Sequence, residues 1–175
     1  MYPQAYIDYL VHFHGDRDYF ECHEVLEEYW KEDETGNRKK YWVAFIQIAV
    51  SLYHQRRGNY KGALRMMQNA SLILREEKKA VIELGLDYED LLVIIQSRVN
   101  EILNQQPYSS LFLPIQDENL LIECHKGCQD RGFIWGTASN LANDYLINKH
   151  TLRDRNEVIA ERLRQSLLKN RISNK

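Results

Sequence analysis

The sequence predicts an all-α protein, a compact bundle of about five helices followed by a helical C-terminal extension. Apolar residues recur at helical spacing along most of the chain, and strand-like alternation is rare. Glycines that can end a helix follow several of these apolar stretches. Hydrophobic residues make up 44% of the sequence and charged residues 27%, which is ordinary for a globular protein.

Helix-capping signals divide the first hundred residues into five predicted helices. Pro3 suits the first turn of the first helix, and Asp18 followed by Glu21 resembles a capping box that opens the second. Asn59 can cap the fourth. In chain order, the five helices are expected to end at Gly15, near Lys31, at Gly58, near Gly85 and near residue 104.

A proline-containing stretch, PYSSLFLPIQ at 107–116, interrupts the helical pattern. We therefore predict a boundary between a bundle over 1–106 and an extension over 107–175. The extension should contain three helices, the last of them basic, over about 117–129, 135–149 and 152–170.

The composition of the chain favours a cytoplasmic protein that does not cross a membrane. The longest apolar stretch, at 42–53, is shorter than the roughly 18 residues that a span needs, and Gln47 and Ser51 interrupt it. The N-terminus lacks the pattern of a signal peptide. Three cysteines do not form a disulfide framework.

The second predicted helix, YFECHEVLEEYW at 19–30, carries ionisable groups on its apolar face. On a helical wheel Tyr19, Phe20 and Trp30 share one arc of roughly 120° with Leu26. His23 and Glu27 lie in the middle of that arc, and Glu24 borders it. The spacing of His23 and Glu27 lets their side chains reach each other or a shared partner.

The third predicted helix shows the same anomaly, a polar stripe on an otherwise apolar surface. Gln47, Ser51 and His54 share one face of this helix. Burying such groups without partners costs about 1–3 kcal/mol each. We therefore expect His23 and Glu27 to face this stripe. The complete candidate cluster is His23, Glu24, Glu27, Gln47, Ser51, Tyr53 and His54.

Two stretches, 19–30 and WVAFIQIAVSLYHQRRGNYKGA at 42–63, resemble the signature of the bacterial domain-of-unknown-function family 309. INKHTLRDRNEVIAERL at 147–163 is similar to the C-terminal extension of its Bacillus-type members. The resemblance implies a compact helical bundle and supplies no activity. Its motif falls on Glu21, His23, Glu24, Glu27, Trp30, Gln47, Tyr53, His54, Gly58 and Asn59. Family members usually have Gln-Gly where this chain has Val43-Ala44, which implies a less polar site.

The leading hypothesis is a binding or scaffold module. In this interpretation the cluster is mainly structural, a buried polar network that fixes how two helices pack. A protein partner would then bind through the C-terminal helices, whose last member carries a leucine stripe.

The first alternative is a metal-dependent hydrolase that uses His23, Glu24, Glu27 and His54. Histidine and carboxylate ligands from facing helices hold Zn, Mn or Fe, and a bound water can be activated for hydrolysis. A divalent metal would be the cofactor. The stretch is not HExxH, because Glu27 stands where the second histidine would be. A metal-free site with His54 as acid or base is a further hypothesis.

A second alternative is association with nucleic acid through the basic tail. The early segment 16–34 is strongly acidic and 149–175 is basic, so the two can also pair within the chain. Residues 146–175 contain no aromatic residue for base stacking, so a solvated basic face is favoured and nucleic acid is not the expected partner. The tail arginines are Arg153, Arg155, Arg162, Arg164 and Arg171.

Overall fold

A computed structural model describes residues 1–152, which form eight α-helices and confirm the all-α prediction. The helices are α1 (Gln4–His14), α2 (Tyr19–Glu32), α3 (Lys40–Arg56), α4 (Tyr60–Glu76), α5 (Lys78–Glu83), α6 (Tyr88–Leu103), α7 (Glu118–Asp130) and α8 (Asp144–Leu152). In this part of the chain, no helix has the length and apolarity that crossing a bilayer requires. The predicted last helix and the five tail arginines lie outside the described residues.

Side-chain caps begin two of the helices where the sequence predicts them. The Asp18 carboxylate accepts a hydrogen bond from the Glu21 N–H at 3.0 Å, at the start of α2. The Asn59 side-chain oxygen accepts a hydrogen bond from the Gly62 N–H at 3.0 Å, at the start of α4. These bonds satisfy amide groups that have no acceptor within the helix.

Two predicted helix boundaries are wrong. The fourth helix does not continue to Gly85, because Glu77 leaves the helical conformation and α5 follows as a separate short helix. The run of charged residues at this break contains no glycine or proline that would mark it. The helix predicted from residue 135 begins only at Asp144, and the Asn143 side chain accepts from the Leu146 N–H at 3.1 Å. Six helices therefore occupy residues 1–106.

One apolar core connects the bundle with the segment that follows residue 106. α3 packs between α2 and α4, and α7 packs along α1. Leu111 and Leu113, from the non-helical stretch, belong to the same core. Cys124 and Cys128 on α7 are buried and unpaired, as expected for small apolar side chains. The domain boundary at 107–116 stays a prediction.

Arg17 is fully buried and binds three main-chain carbonyl groups. Its Nε donates to the Thr137 carbonyl oxygen at 2.7 Å. Its Nη1 donates to those of Phe13 at 2.9 Å and Leu111 at 2.6 Å. Burying a charge is costly unless it is hydrogen-bonded, so the bonds to Leu111 and Thr137 hold the C-terminal segment against α1.

Arg56, at the end of α3, extends the same arrangement to α8. Its Nη1 donates to the Arg17 carbonyl oxygen at 2.8 Å and to the Ser139 hydroxyl at 3.1 Å. Its Nη2 donates to the Leu146 carbonyl oxygen at 3.1 Å. The guanidinium also lies over the Tyr19 ring, 4.9 Å from its centroid. We call Arg17 and Arg56 the arginine clamp, because together they fix the position of α8.

Replacing Arg56 by Met should lower the free energy of unfolding by about 2–4 kcal/mol, because two buried carbonyl groups lose their donor. Chemical denaturation measures this loss, and hydrogen exchange should show α8 opening first. Arg75→Met removes an exposed arginine from α4 and is the matched control, with a change within about 0.5 kcal/mol. Equal stability of the two variants would contradict the clamp.

His14 is a buried neutral histidine at the end of α1. Its ring stacks on Trp135 with centroids 4.4 Å apart, and neither ring nitrogen has a hydrogen-bond partner among the described residues. Burial, and then the Arg17 cation, lower the pKa of His14 to about 3. The unfolded chain therefore takes up a proton near pH 6.5 that the folded chain does not take up until about pH 3.

The free energy of unfolding should therefore have its full value above pH 6.5 and should decrease as the pH drops towards 3. The His14 contribution is up to about 1.4 kcal/mol per pH unit, or about 2 kcal/mol between pH 6.5 and pH 5. His14→Phe keeps the stacked ring and should remove this part of the pH dependence in chemical denaturation. Exposed His125→Phe should keep it. The same pH dependence in wild type and His14→Phe would refute the assignment.

Candidate functional site

The candidate site is built around His23, on the second turn of α2. Its Nδ1 lies 3.1 Å from a Glu24 carboxylate oxygen, and its Nε2 lies 3.4 Å from a Glu27 oxygen. Lys31 pairs with the other Glu27 oxygen at 3.0 Å, which helps to orient that carboxylate. One ligand atom from each of His23, Glu24 and Glu27 lies within 4.8 Å of the others. We call these three residues the carboxylate–histidine trio.

The trio is less buried than the sequence predicts. The side chains of His23, Glu24 and Glu27 are 27%, 34% and 33% exposed. His23 lies at a cavity beside the Phe20 ring, and its polar contacts are with carboxylates of its own helix. His23 therefore faces α3, since Val50, Tyr53 and His54 line the same cavity, but it is only partly buried. A helical wheel identifies the face of a helix but not whether the neighbouring helix covers it.

A cavity of about 190 Å³ opens between α2, α3 and α8. Aromatic rings and imidazoles make up most of its wall. The lining residues are Tyr19, Phe20, His23, Val50, Tyr53, His54 and His150. Sequence reasoning missed His150, since it lies 97 residues after Tyr53 and no local pattern connects the two.

α8 reaches this cavity through contacts of His150. Its backbone N–H donates to the Tyr53 hydroxyl oxygen at 3.1 Å, and its Nδ1 lies 2.7 Å from the same oxygen. Arg57 Nη1 contacts Nε2 of His150 at 3.1 Å. Arg57 Nε also donates to the Asn148 side-chain oxygen at 3.2 Å. These bonds fix the imidazole of His150 at the edge of the cavity.

Lys149 joins α8 to the acidic start of α2. Its Nζ lies 2.5 Å from an Asp18 oxygen and 3.0 Å from a Glu21 oxygen. Burial lowers the pKa of Lys149, but the hydrogen bonds to Asp18 and Glu21 outweigh this effect and raise it above the ordinary value. This ion pair confirms the expected pairing of acidic and basic segments for the part of 149–175 that the structure describes.

The three side chains of the polar stripe on α3, Gln47, Ser51 and His54, do not share one partner. The Ser51 hydroxyl donates to the Ala63 carbonyl oxygen in α4 at 2.7 Å, so the expectation that it faces α2 is wrong. Ser51 lies about 40° around the helix axis from Gln47. This rotation is enough to direct the Ser51 side chain towards α4 rather than α2. The Gln47 side-chain oxygen is buried and accepts no hydrogen bond from the described residues. His54 Nδ1 contacts the Asn59 side-chain nitrogen at 3.2 Å.

His54 lines the cavity but does not belong to the trio. Three of the four metal ligands predicted from the sequence converge in the structure, and His54 is the exception. Burial lowers the pKa of His54, and the positive charges of Arg57, His150 and Arg65 lower it further. The imidazole is therefore neutral at physiological pH.

A larger groove, of about 480 Å³, lies between α4 and α6. Its lining contains amide and apolar side chains, together with Arg75, but neither a carboxylate nor an imidazole. Although it is larger, it lacks the chemical groups that the smaller cavity brings together.

Comparison with known proteins places the trio within a family signature. A family model described as "Domain of unknown function (DUF309)" matches residues 6–66, which cover most of α1, all of α2 and α3, and the start of α4. The chain is 56% identical over 162 residues to the uncharacterized protein YpuF of Bacillus subtilis (strain 168), covering 93% of each chain. No solved structure shows significant similarity. As its motifs predict, this chain belongs to the domain-of-unknown-function family 309.

Proposed function

We propose that this protein is a cytoplasmic binding module whose site takes a divalent metal ion on His23, Glu24 and Glu27. The convergence of their three ligand atoms within 4.8 Å carries the proposal. Imidazole and carboxylate ligands together suit Zn, Mn or Fe. Three protein ligands leave at least one coordination position of the metal open to water or to a ligand.

The trio needs little rearrangement to hold such an ion. Metal–nitrogen and metal–oxygen bonds of about 2.0–2.2 Å require ligand atoms no more than roughly 4.4 Å apart. The Glu27 side chain is about one-third exposed and can rotate by this small amount without disturbing the core. Lys31, the competing cation at Glu27, is 54% exposed and can turn into solvent.

The exposure of the trio favours a site over a packing network. A network that fixes helix packing needs buried groups that bond across two helices. The polar contacts of His23 instead stay within α2, and all three side chains border solvent. They therefore contribute little to the packing of α2 on α3. The free thiols of the three cysteines support a cytoplasmic location, where thiols stay reduced.

A metal-dependent hydrolase is the second candidate, because the trio adjoins a cavity that also contains neutral His54. A metal-bound water could attack a substrate while His54 moves a proton. The metal-loaded protein should then hydrolyse nitrophenyl phosphate or a nitrophenyl ester. His54→Gln should remove that activity and keep the metal. Failure of the metal-loaded protein to hydrolyse either compound counts against this candidate.

The protein-partner hypothesis receives some support from the C-terminal half of the described chain. Ile122, Ile134, Leu141 and Tyr145 are each more than half exposed, and such apolar side chains fit a protein partner. The nucleic-acid hypothesis depends on the tail arginines outside the described residues and stays a prediction.

Elemental analysis and Mn²⁺ titration of protein purified without a His tag or chelator test the metal proposal. We expect about one metal ion per chain in the wild type. His23→Ala and Glu27→Gln should each weaken binding at least tenfold, roughly, because each removes a ligand. His12→Ala is the matched control, since His12 pairs with Asp16 at the same four-residue spacing at 3.1 Å.

Binding in the control should equal binding in the wild type. A wild-type protein without metal affinity would contradict the proposal. Equal affinity in the wild type and in both site variants would also contradict it. If the site variants lose stability as well as metal, the packing role of the trio is larger than its exposure indicates.

A further inference from the structure

We propose that the tail of this chain, residues 153–175, docks over the cavity between α2, α3 and α8 and along the acidic side of α2, so that it covers the candidate site. Apolar side chains of the tail would enter the cavity, and its lysines and arginines would pair with carboxylates of α2. Control of metal binding by the tail rests on the proposed function, whereas the docking itself does not.

The described part of the chain ends beside the cavity. His150 lines the cavity, and its backbone N–H donates to the Tyr53 hydroxyl oxygen at 3.1 Å. Leu152, the last described residue, is 55% exposed. Arg153 follows His150 by three positions, so covalent geometry keeps its Cα within roughly 11 Å of the His150 Cα. The tail therefore begins within reach of the cavity.

The tail is long enough to follow α2 from end to end. As a helix, residues 153–175 would span roughly 35 Å, whereas the 14 residues of α2 span roughly 21 Å. A segment that is tethered beside a site is present there at an effective concentration on the order of millimolar. This gives the tail an advantage over an outside molecule that competes for the same cavity.

The charges of the tail and of α2 are complementary. The tail contains seven lysines and arginines but only three acidic residues. On α2, Glu28 and Glu32 are exposed, and neither forms an ion pair within residues 1–152. Lys149 already pairs with Asp18 and Glu21 at the start of the same helix. A docked tail would continue this pairing of opposite charges along α2.

The apolar side chains of the tail fit the wall and the size of the cavity. Ile159, Leu163 and Leu167 recur every four residues, a spacing that places them on one face of a helix. An apolar cavity of about 150 Å³ accommodates a group the size of benzene. The cavity here, of about 190 Å³, can therefore take a branched aliphatic side chain, whose apolar surface would then leave water.

A docked tail would oppose metal binding at the trio. His23 belongs to the trio and also lines the cavity, so a side chain in the cavity would lie against a metal ligand. Tail cations near the α2 carboxylates would also repel a divalent cation. Because linkage is reciprocal, the metal should weaken docking by the same factor by which docking weakens metal binding. The tail would thus regulate access to the site.

A nitroxide label on the full-length protein tests the docking. The label is attached at Lys31→Cys, an exposed position on α2, because the three native cysteines are buried. We expect it to broaden the NMR signals of tail amides 158–168. Val93→Cys, an exposed position on α6, is the matched control and should not broaden them. α6 packs on α4, on the far side of α3 from α2.

Substitutions in the tail test whether apolar contacts hold it. Ile159→Asp and Leu163→Asp should each remove the broadening. Gln165→Asp makes the same change of charge away from the apolar face and should keep it. No broadening in the wild type, or equal broadening in all three variants, would overturn the proposal.

Two other occupants of the cavity give distinct results. A second copy is detected by mixing ¹⁵N-labelled chains that lack the nitroxide with unlabelled chains that carry it. Broadening of tail signals in this mixture would show docking between chains and would overturn docking within one chain. Benzene is the probe for a small apolar occupant. If benzene binds the wild-type cavity while the tail signals stay sharp, the tail is not the occupant.

Mn²⁺ titration of the same variants tests the regulatory part. Leu163→Asp should bind Mn²⁺ at least fivefold more tightly, roughly, than the wild type or Gln165→Asp. Equal Mn²⁺ affinity together with a docked tail would overturn regulation of the site. A protein that shows tail docking but binds no Mn²⁺ in any variant would overturn the proposed metal site and leave the docking standing.

Discussion

The structure depends on two buried guanidinium groups, those of Arg17 and Arg56, which need hydrogen-bond acceptors inside the protein. No carboxylate among residues 1–152 pairs with Arg17 or Arg56, so main-chain carbonyl oxygens take that role. The acceptors beyond residue 106 belong to Leu111, Thr137 and Leu146. The clamp therefore makes the chain after the bundle part of one structure. It also brings α8, with Lys149 and His150, to the cavity.

The two ends of the candidate site arise in different ways. The carboxylate–histidine trio is local, because His23, Glu24 and Glu27 lie within five residues of one helix. The side of the cavity next to α8 is assembled from distant parts of the chain, since His150 contacts both the Tyr53 hydroxyl and Arg57.

Local signals in the sequence predicted the helical fold, the caps at Asp18 and Asn59, and the proximity of His23 to Glu27, because each depends on neighbours within a few residues. Ser51 was assigned to the wrong neighbour, since α3 packs between two helices and a modest rotation decides between them. The arginine clamp and His150 had no local signal. Apart from Phe13, their partners lie about forty to more than one hundred residues away along the chain.

Crystals grown with MnCl₂ and measured for anomalous scattering would test the central claim most directly. The account predicts an anomalous peak bonded to His23, Glu24 and Glu27. Replacing Glu27 by Gln should abolish the peak and leave the helices in place. Density for ordered carboxylates without a metal peak, at Mn²⁺ concentrations that saturate ordinary protein sites, would contradict the account.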